Sequence, residues 1–210
     1  MELWNRMEPA KPSLQNQFGN LDIYVFDQLL RGRIAPGMRV FDAGCGGGRN
    51  LAYLLGQGYD VCGNDADPNA IARVRALASS LSPGGDWDFR VESIEHSSFP
   101  DAHADVVLSS AVLHFARDEH QFEAMLRQMW RVLKPGGVFF ARLASTIGID
   151  SDVVALGGGR FRLPDGSDRF LVDAPVIESW TRRLGGSLID PIKTTLVHNQ
   201  RSMTTWVARK

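Results

Sequence analysis

The sequence predicts an α/β protein built on a doubly wound, mostly parallel sheet, and three observations predict it. Apolar runs of strand length alternate with segments of helical periodicity from residue 40 to residue 143. The run Ala104-Asp105-Val106-Val107-Leu108 is apolar at nearly every position, as in a strand covered on both faces. Val40-Phe41-Asp42-Ala43 passes directly into a glycine-rich turn and then a helix. Such a unit returns by a right-handed crossover and makes its strands parallel.

The elements follow in order. At 210 residues the chain is one domain, 1–210, with a full core. Residues 1–35 form an N-terminal helical cap. Residues 1–19 are irregular, broken by Pro9 and Pro12, with Leu3, Trp4 and Met7 on one side of a short helix. A helix runs from Leu21 to Arg31, with Asn20 to cap it and Gly32 to end it. Strand 40–43 leads to helix 49–57. Strand 59–64 leads to helix 68–81, with Pro68 in its first turn. Strands 87–92 and 104–110 follow, then helix 119–133 and strand 138–143. Residues 144–173 are an insertion. Arg160-Phe161-Arg162-Leu163 and Arg169-Phe170-Leu171-Val172 flank Pro164-Asp165-Gly166-Ser167 as a hairpin, and Gly157-Gly158-Gly159 is its hinge. Asp173 caps a helix to Leu184, and strands 188–196 and 203–208 end the chain.

The composition is that of an ordinary globular protein, with a formal net charge of -1. That charge gives no reason to expect a nucleic-acid surface, though it leaves room for a local basic patch, and no apolar run is long enough to span a bilayer. The start has no secretion signal, and Cys45 and Cys62 read as small core residues in a reducing compartment. The expected location is the cytoplasm. The five histidines and two cysteines show no metal-ligand spacing, so no metal site is expected.

Three stretches carry chemistry. The turn reads Asp42-x-Gly44-x-Gly46-x-Gly48. A dinucleotide fingerprint would want its third glycine at 49, where this chain has Arg49. Asp65 stands at the tip of the second strand, where a carboxylate accepts from ribose hydroxyls. Leu133-Lys134-Pro135-Gly136-Gly137 makes a turn before the strand at 138. With the strand at 104–110, these features resemble the class I S-adenosylmethionine-dependent methyltransferases, in the right order over roughly residues 38–142. A shorter run, Gly44 to Asn50 followed by Gly58-Tyr59-Asp60-Val61, resembles the tellurite-resistance and thiopurine branch of that family.

The resemblance implies a seven-stranded sheet of order 3-2-1-4-5-7-6 and S-adenosylmethionine as cofactor. It places Gly44, Cys45, Gly46 and Gly48 in the cofactor turn. Asp42 satisfies turn N–H groups and reaches the cofactor amine, and Asp65 holds the ribose or caps the helix at 68. Ala66 lies on the adenine. Ser93 faces the adenine amino group, with Glu92 and Glu95 as neighbours in a shifted register, and Ile94 offers its N–H. A carbonyl of Ser109 or Ser110 meets the methionine ammonium. His114 is a base, a substrate contact or a pocket wall. Arg6 and Arg49 compete for the methionine carboxylate. The acceptor is a small molecule; Ser109-Ser110-Ala111-Val112 lacks the pattern of DNA amino-methyltransferases. A nonenzymatic module that binds S-adenosylmethionine or S-adenosylhomocysteine for regulation is the alternative, and an oxidoreductase is disfavoured by Arg49. The hairpin reads as a lid over the acceptor or as a homodimer contact.

Overall fold

A computed structural model describes residues 13–210. Leu3, Trp4, Arg6 and Met7, for which the sequence raised expectations, lie outside the described residues. In chain order the elements are α1 (Leu14–Phe18), α2 (Ile23–Leu30), β1 (Arg39–Ala43), α3 (Ala52–Gly56), β2 (Asp60–Asp65), α4 (Pro68–Leu81), β3 (Asp88–Val91), β4 (Ala104–Ser110), α5 (Glu119–Val132) and β5 (Leu133–Ala144). Then come β6 (Val154–Gly157), β7 (Arg160–Arg162), β8 (Asp168–Phe170), α6 (Ala174–Arg183), β9 (Ser187–Leu188), β10 (Lys193–Val197) and β11 (Arg201–Arg209).

The central sheet runs β3-β2-β1-β4-β5-β11-β10. The first five strands are parallel, and β11 and β10 are antiparallel additions. With the insertion's strands set aside, this is the order 3-2-1-4-5-7-6. The last expected strand, 188–196, is split. β9 and β10 both pair with β11 on the same side, separated by Asp190 and Pro191. Pro191 has no N–H for a ladder. Asp190 turns inward to Arg33, 2.7 Å away.

The pleat decides which helix each side chain meets. Val40, Val61, Val106 and Phe140 face α2, α3 and α4. Phe41, Cys62, Val107 and Phe139 face α5 and α6, where Phe122, Met129, Ile177 and Trp180 close the second layer. Each such fully buried side chain contributes roughly 1.5–3 kcal/mol. Carboxylates start four of the described helices. Asp22, not Asn20, caps α2, accepting from the Tyr24 N–H at 2.9 Å. Asp67, Asp118 and Asp173 do the same for α4, α5 and α6.

The insertion is its own three-stranded sheet, β6-β7-β8. The expected hairpin is β7–β8, paired Arg160 with Phe170 and Arg162 with Asp168. The glycine run, expected as a hinge, is the turn of a second hairpin between β6 and β7. All three glycines have positive φ, and a Cβ on Gly159 would collide with the Phe170 ring. Phe170 in turn stacks on Phe122 of α5, ring centroids 4.4 Å apart.

Candidate functional site

The cleft forms where β1 ends. Gly44 and Cys45 donate their N–H groups to the Asn64 carbonyl at 2.9 and 3.0 Å, because the β1–β2 register sets Asn64 beside Ala43. Gly46 donates to Asp65 Oδ2 at 2.9 Å. Asp42 therefore does not satisfy the turn's N–H groups. Its carboxyl is 2 % exposed and accepts no hydrogen bond among the described residues. Burial pushes its pKa up to about 7; Arg49 opposes that shift and Asp65 adds to it.

Asp65 is not the cap of α4, since Asp67 takes that place. Its Oδ1 accepts from the Asp67 N–H at 2.9 Å. Two backbone donors fix the carboxylate across the turn and leave lone pairs toward the cleft. A cavity of about 350 Å³ opens there. Gly44, Asp65, Ala66, Ser93 and Ile94 line one side, and Ser110, Ala111, Val112 and Phe115 the other. Gly44 has φ +77°, and a Cβ on it would meet Val112 at 2.7 Å, so the turn touches the far wall only because it is glycine. A Cβ on Gly46 would meet nothing within 4 Å, so the space above the turn is free for a ligand.

Other expected residues stand elsewhere. Gly48 packs against α4, where a Cβ would lie 2.8 Å from Val74. Cys45 is buried beneath the turn, and its thiol is pushed up by desolvation. Ser109 is fully buried toward α5, with its hydroxyl unpartnered; Ser110, one residue on, reaches the cleft. Glu92 turns away to the Ser98 N–H, whereas Glu95 borders the cavity and accepts from Gln121. Gln121 and Met125 of α5 complete that wall. Sequence reading missed both, because a helical periodicity marks the buried face of α5 but not which turn reaches a cleft. It also missed Asp22, whose Oδ2 accepts from Ser110 Oγ (3.1 Å) and Arg142 (3.3 Å) and lies 3.8 Å from Arg49. Arg49 also donates to Ser110 Oγ at 3.2 Å.

His114 is 6 % exposed, and its Nδ1 accepts the Ala144 N–H at 3.2 Å. The ring proton therefore sits on Nε2. Burial, with Arg169 and Arg142 nearby, pushes its pKa down to about 4. A larger cavity, about 630 Å³, lies between β7–β8, α5 and α6; Phe122, Phe161, Phe170 and Trp180 line it, and none of the expected cofactor residues does. Among the described residues no group of three His, Cys, Asp or Glu side chains is arranged to hold a metal ion. Among the described residues no helix is long and apolar enough to cross a membrane.

Residues 41–141 match the family model of a methyltransferase domain. An uncharacterized methyltransferase of Synechocystis is 34 % identical over 116 residues, half of this chain and 47 % of that protein. The chain spans about half the length of the curated relatives it matches. A methyltransferase structure from Methanosarcina mazei superposes with a TM-score of 0.72 at 20 % identity, over 87 % of this chain and 96 % of the other. The 1,6-didemethyltoxoflavin-N1-methyltransferase of Burkholderia thailandensis, solved with its acceptor and S-adenosylhomocysteine, gives 0.69 at 18 % identity, over 94 % and 81 %.

Proposed function

This chain belongs to the class I S-adenosylmethionine-dependent methyltransferases, and we propose that it transfers a methyl group from that cofactor to a small-molecule acceptor. One observation carries the reading: the Asp65 carboxylate is tied to the Gly46 N–H, so the β2 tip and the glycine turn share one wall of a cavity whose other wall is Ser110–Phe115.

The residues present fit the cofactor. Asp42 is a buried carboxyl with no hydrogen-bond partner among the described residues, which suits a bound ammonium. Asp65 keeps lone pairs for two ribose hydroxyls, and Ala66, Ser93 and Ile94 border the adenine. Of Ser109 and Ser110, either of whose carbonyls could meet the ammonium, Ser110 is the one that lines the cavity. Of the two cations expected for the methionine carboxylate, Arg49 is the one among the described residues, and it would hold that group. When bound, the cofactor supplies an electrophilic methyl carbon on a sulfonium. The chain's own part is alignment and exclusion of water. Phe115, 58 % exposed at the cavity, leaves the donor end open to an acceptor, which favours an enzyme over a binding module. β8 packs beside the Leu113–Phe115 turn, which supports the insertion as a lid over that end.

The test is calorimetry with S-adenosylhomocysteine and NAD, followed by transfer of a labelled methyl group to candidate acceptors. Heat from NAD and none from S-adenosylhomocysteine would refute the assignment.

A further inference from the structure

The donor end of the cleft carries an excess of unsatisfied donors and cations. One buried carboxylate, Asp22, serves two guanidinium groups, Arg142 and Arg49, and its other oxygen is committed to the Tyr24 N–H. Arg142 Nε is buried without a partner. Arg169, on strand β8, has no carboxylate within 4 Å among the described residues; it donates one N–H to the Asp168 carbonyl at 2.8 Å and lies 4.9 Å over the exposed Phe115 ring. Phe115 in turn sits 4.5 Å from the His114 ring, whose Nε2–H has no partner among the described residues. A neutral or cationic acceptor would leave every one of these groups as it is. An anion would satisfy them together.

We propose that the methyl acceptor enters as an oxygen acid in its ionised form, a carboxylate or an acidic phenol or enol, received by Arg142 and Arg169 and by the Nε2–H of His114. The inference rests on the methyltransferase reading and adds the class of acceptor. The acceptor oxygen's lone pair forms the new bond to the methyl carbon as the carbon–sulfur bond breaks and leaves its electron pair on sulfur. An anion and a sulfonium become a neutral methyl ester or ether and a thioether, so no proton moves and no side-chain base is required. His114 suits that role and not a base's: its one free lone pair, on Nδ1, is held by the Ala144 N–H, and its remaining ring nitrogen only donates.

Benzoate and benzamide have nearly the same shape and differ by a charge. Titrated into the full chain saturated with S-adenosylhomocysteine, benzoate is expected to bind at least roughly tenfold tighter than benzamide, with the margin shrinking as salt is added. Arg169→Met and Arg142→Met should each remove most of that margin, with affinity for S-adenosylhomocysteine unchanged. Arg169 is half-exposed on the lid, so its variant keeps the core intact even if Arg142→Met does not fold. His114→Phe should weaken benzoate more than benzamide. Equal affinity for the pair in protein that binds S-adenosylhomocysteine, or no detectable benzoate binding, overturns the anionic acceptor alone. A protein that fails to bind S-adenosylhomocysteine overturns the reading beneath it.

Discussion

Two buried titratable side chains set the pH behaviour of the cleft. Asp42 is held near half-ionised at neutral pH because burial outweighs the pull of Arg49. A bound ammonium favours the ionised form. Affinity for S-adenosylhomocysteine should therefore rise with pH up to about 7 and level above it, with a proton released on binding. Calorimetry in buffers of different ionisation enthalpy reads that proton, and Asp42→Asn should abolish it. His114 shifts the other way. Its folded pKa of about 4 lies below the ordinary 6.5, so it stabilises the fold above pH 6.5 and that contribution is lost as pH falls toward 4. The difference corresponds to about 3 kcal/mol. The imidazole resonances in an NMR titration should stay those of the neutral ring down to about pH 5; a midpoint near 6.5 would show that the ring is not buried as described. Under the proposed function Asp65→Ala would remove a ribose contact as well as the anchor of the Gly46 N–H, and should weaken cofactor binding by about 2–4 kcal/mol. These roles were unevenly legible in the sequence. Asp65 and the glycines are marked by spacing. The missing partner of Asp42 is not, because the Asn64 carbonyl that displaces it from the turn comes from backbone register.

At the level of the element, boundaries were readable wherever an apolar period met a capping residue. Helix α4 and strand β4 fall where expected, Pro68 opening one and a continuous apolar run defining the other. Helix α3 is shorter than its pattern, since the turn through Gly48 and Arg49 consumes its first residues. Strand β6 escaped notice because Val154–Gly157 is exposed along its whole length and has no alternation to read. Its consequence is that Gly157–Gly159 forms the turn of a β-hairpin. Gly159→Val should push Phe170 off Phe122 and release the lid sheet, while cofactor affinity persists. Hydrogen exchange would then rise across residues 154–172, and methyl transfer should fall. Exchange confined to residue 159 would separate the lid from the core contact.

For the molecule as a whole, the parallel order and two helical layers were legible because apolar runs of strand length, Ala104–Leu108 above all, alternate with helical periodicity. One wall of the cavity was legible too, through Gly44, Asp65 and Ala66, whereas Gln121 and Met125 of α5 reach it only in the finished fold. Ligand binding should act on that whole. At a concentration 100 times its dissociation constant, S-adenosylhomocysteine should add about 2.7 kcal/mol. For a chain of this size that raises the melting temperature by roughly 5–10 °C, a shift that Asp65→Ala should lose. The split outer strand matters on the same scale. A sheet that ends in one long straight strand offers its bare N–H and C=O groups to the next molecule in a crowded solution. Leu196 and Val197 stand half-exposed on that border. Pro191 withholds a donor in the middle of it, and the inward pull of Arg33 on Asp190 bends the chain out of line. Pro191→Val would restore a donor there, and the expected outcome is more light scattering on storage than from the unsubstituted chain.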